Sequence, residues 1–162
     1  ISVRMIVEDC GINRNSFYYH FQDIPTLLGE IIREEADRII SQYPTITSLD
    51  QCVDVAFQFA LSHKRAVYHI YNSVNRDLYE TALMKICEYL VTTYMDTAFG
   101  KDAVSEYDRS VAIRFFKCEI FGLAHEWIER GMKDDAIAEI HHITGLCRGL
   151  SEELIARARA NK

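Results

Sequence analysis

Proline and glycine are scarce in this sequence. It has 2 prolines and 7 glycines in 162 residues, while apolar residues make up 49% of the chain. Proline interrupts helices, and a chain of this length has enough apolar material for a sizeable core. The residues show no strand pattern, internal repeat or long linker. We therefore predict an all-α fold.

Other absences narrow the class of protein. The sequence contains no run of about 18 apolar residues, the length needed to span a bilayer, and no recognisable signal peptide. We therefore expect a cytoplasmic protein without a membrane contact. The 5 cysteines are odd in number and include no CxxC pair, which favours buried, reduced thiols. We find no nucleophile beside a base, no glycine-rich phosphate loop and no metal-ligand spacing. We therefore expect neither an enzyme nor a metal or cofactor site.

The charge balance is acidic, with a formal net charge of -6. Up to Ile40 the chain has 4 basic residues against 7 acidic ones. Such a balance does not favour nucleic-acid binding over the whole surface. A nucleic-acid contact would therefore have to be local.

Apolar spacing and capping residues predict a succession of helices. The predicted segments are 3–10, 14–21, a helix from Asp23-Pro25 bounded by Pro44, 49–63, a short helix around 67–71, 76–99, 105–131, and a last helix from Asp134 nearly to the C-terminus. We divide the chain into residues 1–43, a helix-turn-helix head with a connecting helix, and residues 44–162, a helical regulatory and dimerisation domain.

The second short helix has an unusual composition. Residues 17–21 read Phe-Tyr-Tyr-His-Phe, five middling to poor helix formers in a row. Phe17 and Phe21 share one face and can anchor the helix, which leaves Tyr18, Tyr19 and His20 pointing elsewhere. Aromatic clusters in helices usually belong to a core. On the pattern alone, both core packing and DNA contact remain open.

Two segments carry a resemblance to a known family. Residues 6–21 read IVEDCGINRNSFYYHF, and Leu27 follows. This segment resembles the DNA-binding pattern of the tetracycline-repressor (TetR) family: a small helix, a glycine, a polar cap, then an aromatic residue, Tyr, any residue, His and Phe. Residues 127–132, WIERGM, resemble the end of the family's penultimate helix. The order of the long helices also agrees, so the resemblance covers nearly the whole chain.

The resemblance implies a DNA-reading surface on the second helix and the start of the first. The implied contacts are Arg14, Asn15 and Ser16 facing bases, Tyr19 against bases or sugars, Tyr18 and His20 at phosphates, and Ser2 and Arg4 at the DNA backbone. The function implied is a repressor that an unidentified small-molecule effector releases from double-stranded operator DNA.

Two departures from the family pattern point to an alternative. Ile24 stands where the family usually has a phosphate-binding lysine. The family's first helix, which would precede Ile1, is not part of this sequence, so we expect Val3, Ile6 and Phe17 to have lost apolar cover. The alternative is a regulator-like co-activator or protein-interaction module with a degenerate DNA head.

Residues 111–128 are apolar almost all round the helix. Such a helix needs cover on both sides. We therefore expect a homodimer in which this helix and the last one form a four-helix interface; the central helix of a monomer remains the alternative. The expected interface residues are Phe116, Leu123, Trp127, Ile140, Thr144, Cys147 and Leu150.

The middle helices carry polar groups among apolar residues, and such groups can fix the orientation of a bound small molecule. Each of them can also be an ordinary core or surface residue. The candidate effector contacts are Tyr68, Tyr71, Asn72, Tyr89, Glu119 and His125.

Overall fold

The computed structural model describes residues 1–160, except for the side chains of residues 134–137. Within this part of the chain there are helices and no strands, which confirms the all-α prediction. The helices are α1 (Val3–Cys10), α2 (Arg14–His20), α3 (Ile24–Gln42), α4 (Leu49–Ser62), α5 (Lys64–Tyr71), α6 (Arg76–Phe99), α7 (Glu106–Glu129), α8 (Asp134–Leu146) and α9 (Leu150–Ala160). None of the helices described is both long and apolar enough to cross a membrane.

Five of the helices described begin at capping residues that are recognisable in the sequence. In each case a side-chain oxygen accepts a hydrogen bond from the backbone N–H three residues later, and so satisfies a donor left free at the helix start. These caps are Ser2, Asn13, Asp23, Ser48 and Ser105. Because capping is a local interaction, the starts of α1, α2, α3, α4 and α7 lie close to their predicted positions.

The C-terminal region differs from the prediction of one long helix. α8 ends at Leu146 and α9 begins at Leu150, with Gly149 between them at a φ of 88°. This left-handed conformation suits glycine, which has no Cβ. The apolar spacing continues across the break, and so the sequence pattern concealed it.

The long helix α6 lies at the centre of the fold. It packs against α3, α4, α5 and α7, and α4 also contacts α7 and α8. Leu83, Ile86 and Leu90 of α6 are almost completely buried. α3 contributes Ile32 and Ala36 to the same core. α3 is therefore anchored in the body of the protein although it directly follows α2.

All five cysteines are free, but they differ in burial. Cys52 and Cys87 are buried, and burial raises the pKa of the Cys87 thiol to about 12. Cys10 and Cys118 are exposed, which contradicts the expectation that all the thiols are buried. Cys10 is flanked by Asp9 and Gly11 and Cys118 by Lys117 and Glu119, and both thiols lie on the outer faces of their helices.

Candidate functional site

The junction between α1 and α2 is closed by local hydrogen bonds. Gly11 adopts a φ of 65°, and the N–H of Ile12 donates to the carbonyl of Val7 at 3.0 Å. This is the Schellman arrangement that ends a helix at a left-handed residue. Asn13 then starts α2, since its Oδ1 accepts from the N–H of Ser16 at 2.9 Å. Two short helices joined in this way have the spacing of a helix-turn-helix.

One face of α2 is buried in a small core of its own. Phe17 is only 3% exposed, and its ring lies 5.7 Å from that of Phe21. Val7 of α1 is also buried, yet neither Val7 nor Phe17 belongs to the main core. Phe17 has therefore kept its apolar cover, contrary to expectation. α1 and α2 form a head that is packed separately from the body.

The opposite face of α2 is open to solvent. Tyr19 is 85% exposed, and its ring meets that of His20 edge-on at 4.9 Å. Tyr18, Arg14 and Asn15 are exposed as well, and α2 contains no acidic residue. This face is polar and aromatic, with donors at its N-terminal tip. Such residue types can contact base edges and phosphates.

Three of the predicted DNA contacts already have partners within the head. Ser2 caps α1 by accepting from the N–H of Met5, and the hydroxyl of Ser16 lies 3.3 Å from the Asn13 oxygen. Arg4 forms an exposed ion pair with Glu8 at 2.7 Å. Exposed pairs of this kind contribute about 0–1 kcal/mol. Arg4 would exchange Glu8 for a phosphate at little cost.

The acidic charge of the first 40 residues lies mainly on α3, where it is partly neutralised. Arg33 bridges Glu30 and Asp37, and Arg38 pairs with Glu35. The Arg38 guanidinium lowers the pKa of Glu35, and Lys85 of α6 lowers that of Asp37. The unfavourable charge counted along the sequence is therefore not concentrated on the exposed face of α2.

A cavity of about 520 Å³ lies between α3, α4, α5 and α6. Its walls are mostly apolar, and besides Tyr79 they include five polar or charged side chains. The apolar lining is Leu28, Ile31, Ile32, Phe59, Ala66, Val67 and Ile70, and the polar or charged lining is Glu34, Glu35, Arg38, Ser62 and His63. Cavities of about 300–1,000 Å³ with this composition are typical of small-molecule sites.

Tyr79 is one of the residues that line this cavity, and its hydroxyl oxygen is buried out of reach of solvent. The residue is 2% exposed, and its hydroxyl has no hydrogen-bond partner in the described part of the chain. Its ring stacks on Phe59 at 5.2 Å, and burial raises the pKa of the phenol, which keeps it neutral. A buried O–H without a partner is costly. In the sequence, Tyr79 is one of several regularly spaced residues of α6, and nothing distinguishes it from the others.

The residues predicted to bind an effector do not line this cavity. Tyr71 and His125 do come together, because the Tyr71 hydroxyl lies 2.9 Å from His125 Nδ1. Arg76 lies 3.9 Å over the Tyr71 ring and pairs with Glu80. This cluster already satisfies its own polar groups. Burial raises the pKa of Tyr71 to about 12.

The other four predicted effector contacts are scattered. Tyr68 is exposed and its carbonyl accepts from the Asn72 amide, while the Tyr89 hydroxyl donates to the carbonyl of Tyr43. Glu119 lies on α7, away from the cavity, and burial raises the pKa of its carboxyl. In the described residues, no group of three or more His, Cys, Asp or Glu side chains forms a metal-binding arrangement.

The residues expected at the dimer interface fall into two groups that differ in burial. Phe116 and Trp127 are 1% exposed and Ile140 is 6% exposed within one protomer. Little of the surface of these three residues remains for a partner. Their positions in an apolar helix gave no indication of which side faces inward. Leu123, Thr144 and Cys147 are half-buried, and Leu150 is exposed.

Other apolar side chains are exposed on α7 and α8. Val111 and Phe115 lie one turn apart on α7, and Leu146 ends α8 at 75% exposure. Gly122 and Cys118 continue the same outer face of α7. An apolar strip of this kind marks a surface that a partner can cover.

A head of two short helices joined at a left-handed glycine, followed by an all-helical body with a cavity, is the arrangement expected of a helix-turn-helix regulator. Comparison with protein families agrees: a TetR-type family model described as a transcriptional regulator C-terminal region matches residues 47–149, more than half of the chain. No curated protein and no solved structure matches the sequence. The chain belongs to the TetR family of transcriptional regulators, as the resemblance indicated.

Proposed function

We propose that this regulator is a dimeric repressor that binds operator DNA through α2 and leaves it when a small molecule occupies the cavity. The observation that supports this proposal most directly is that the exposed face of α2 has no acidic residue. Arg14 and Asn15 at its tip are available to base edges, and Tyr19 is almost fully solvated. Positive charge is limited, so we expect modest affinity that decreases with salt.

The apolar strip on α7 and α8 supports a dimer. A monomeric protein of 18.7 kDa is expected to expose about 8,300 Å², whereas this chain exposes 9767 Å². The difference exceeds the ~800 Å² that one subunit contributes to a typical stable interface. A two-fold dimer would also place two α2 helices against successive major grooves, about 34 Å apart.

α3 supports a link between the cavity and the head. Leu28 and Ile32 form part of the cavity wall, and α3 begins four positions after the last residue of α2. Lys85 of α6 holds the outer side of α3 through Asp37 at 2.9 Å. A molecule that displaces the α3 wall would also move the head. Effector and DNA must then weaken each other's binding by the same factor.

The test is binding of the full chain to DNA upstream of its own gene, at two salt concentrations. We expect salt-sensitive binding that the double variant Arg14→Ala/Tyr19→Ala loses. The matched control is Arg65→Ala/Tyr68→Ala, which removes the same residue types from an exposed face of α5. Loss in both variants would show that the effect is not specific to α2.

A second candidate is a regulator that acts through protein partners with a degenerate head. The observations that favour it are Ile24 at the position of the usual lysine and the pairing of Arg4 with Glu8. A folded, dimeric chain that binds no DNA at low salt but captures a partner protein would support this candidate. The same result would refute the repressor proposal.

A further inference from the structure

The cavity between α3, α4, α5 and α6 has a lining in which the charges do not balance. We infer that it binds an apolar molecule with one positive charge, and that the carboxylate of Glu34 pairs with this charge. The inference rests on the proposed function only in calling this molecule the effector. The binding chemistry follows from the charged and apolar residues of the lining.

The imbalance is located at Glu34. The lining includes two acidic residues, Glu34 and Glu35, and one permanent cation, Arg38. Arg38 is committed to Glu35, because its Nε and Nη2 atoms donate to the two Glu35 oxygens at 2.9 and 2.5 Å. His63 lies 3.9 Å from the same Glu35 carboxylate and is charged only when it is protonated. One negative charge of the lining is therefore left without a counterpart.

The Glu34 carboxylate has no partner outside the lining either. Arg33 precedes it in the sequence, but adjacent residues of a helix do not face each other, and Arg33 pairs with Glu30 and Asp37. Within the described part of the chain, the carboxylate forms no hydrogen bond or ion pair. Glu34 is exposed although it lines the cavity. Its charge can therefore stay hydrated until a cation enters.

The same face of α3 offers apolar surface beside this charge. Ile31 lies one helical turn before Glu34, lines the cavity and is 54% exposed. Val67 and Ile70 of α5 also belong to the lining. A bound molecule that covers Ile31 removes apolar surface from water, which favours binding. An apolar body with a positive charge at one end therefore matches both parts of this face.

An anion fits the lining less well. It would approach the carboxylates of Glu34 and Glu35, and like charges repel each other. To hold an anion, Arg38 would have to leave Glu35, whose side chain is only 19% exposed. A partly buried carboxylate would then lose its partner, which is unfavourable. The lining is therefore expected to discriminate between ligands of opposite charge.

The test measures binding to the full chain without DNA by equilibrium dialysis, with three naphthalenes substituted at the 2-position. They are N,N,N-trimethyl-2-naphthylammonium, a permanent cation; 2-tert-butylnaphthalene, its uncharged isostere; and 2-naphthoate, an anion. The quaternary ammonium has no N–H donor, so its charge alone distinguishes it from the isostere. We expect the cation to bind more tightly than the naphthoate, and added salt to weaken binding of the cation but not of the isostere.

Substitutions of Glu34 assign this preference to one carboxylate. Glu34→Gln should lower the affinity for the cation about three- to fivefold, the scale of one exposed ion pair, and leave the affinity for the isostere unchanged. Glu34→Lys should lower the affinity for the cation about tenfold and make the naphthoate the better ligand of the two. Because Glu34 is exposed, both variants should keep the unfolding midpoint of the parent.

The matched control is Glu126→Gln on α7. Glu126 is also exposed, its carboxylate has no partner within the described residues, and it does not line the cavity. The substitution changes the net charge of the chain by the same amount as Glu34→Gln. It should leave the binding of all three probes unchanged.

The inference is overturned by any of four results: no probe binds the folded chain, the naphthoate binds more tightly than the cation, Glu34→Gln leaves the affinity for the cation unchanged, or Glu126→Gln lowers it equally. Because DNA is absent, these outcomes are independent of the proposed repressor function. A cation that binds as expected to a chain that ignores DNA would sustain the cavity chemistry and refute only the repressor.

Discussion

Asn13 caps a helix that has little else to hold it. α2 has 7 residues, fewer than the ~12–15 at which isolated helices become marginal, and most of its residues are poor helix formers. The Asn13 oxygen accepts from both the N–H and the hydroxyl of Ser16. Replacing such a cap with alanine costs about 1 kcal/mol. That cost changes the ratio of ordered to frayed α2 about fivefold.

We expect this effect to stay within the head. Val7 and Phe17 are packed apart from the main core, so fraying of α2 need not open the body. In Asn13→Ala, amide hydrogen exchange over residues 14–20 should accelerate about fivefold, while the midpoint of global unfolding hardly moves. If α2 reads DNA, the affinity should fall by up to the same factor.

Two variants provide controls for Asn13→Ala. Asn13→Ser keeps a capping oxygen and should behave like the parent. Ser48→Ala removes the same type of cap from α4, which belongs to the main core, and should lower the global midpoint. The reasoning fails if Asn13→Ala leaves exchange on α2 unchanged, or if it lowers the global midpoint as much as Ser48→Ala does.

Two further substitutions test the backbone and the electrostatics. Gly11→Ala should destabilise the head by about 1–2 kcal/mol, because its φ of 65° is left-handed. The control is Gly29→Ala in α3, which should stabilise the protein by about 0.5–1 kcal/mol, because an added Cβ meets only Leu78 at 3.9 Å. Hydrogen exchange and denaturant unfolding measure the stability changes of both variants. Glu119→Gln should stabilise the protein at neutral pH. Burial raises the pKa of Glu119 in the folded state, so its ionisation penalises folding as pH rises through that pKa. The advantage of the variant over the parent should vanish in acid, below the ordinary carboxyl range; an advantage that grows in acid would contradict the assignment.

Much of the fold could be predicted because its signals are local. Caps at Asn13 and Ser48 act within three residues, and the spacing of apolar residues indicates which face of a helix points inward. The opposite roles of Phe17 and Tyr19 were readable for the same reason, since residues two positions apart on a helix point in different directions. The head could therefore be recognised from one short segment.

The effector cavity could not be predicted in this way. Tyr79 belongs to the same regular apolar spacing as Leu83 and Ile86, and its neighbours in sequence do not show that its hydroxyl lacks a partner. Five of the six residues singled out for their polarity satisfy one another, lie at the surface or bond to the backbone, and Glu119 is half-buried on α7 outside the cavity. A gap between helices is a property of how α3, α4, α5 and α6 pack, and no single helix encodes it.

The sequence by itself therefore determined the helices, most of their ends and the exposed face of α2, because these depend on hydrogen bonds and periodicity within a few residues. Only the tertiary structure decided which side of α7 is covered, where the chain turns at Gly149, and which side chains surround the cavity. Those features depend on neighbours that are distant along the chain. Phe116 and Phe115 are adjacent in an apolar helix, yet one lies in the core and the other in solvent.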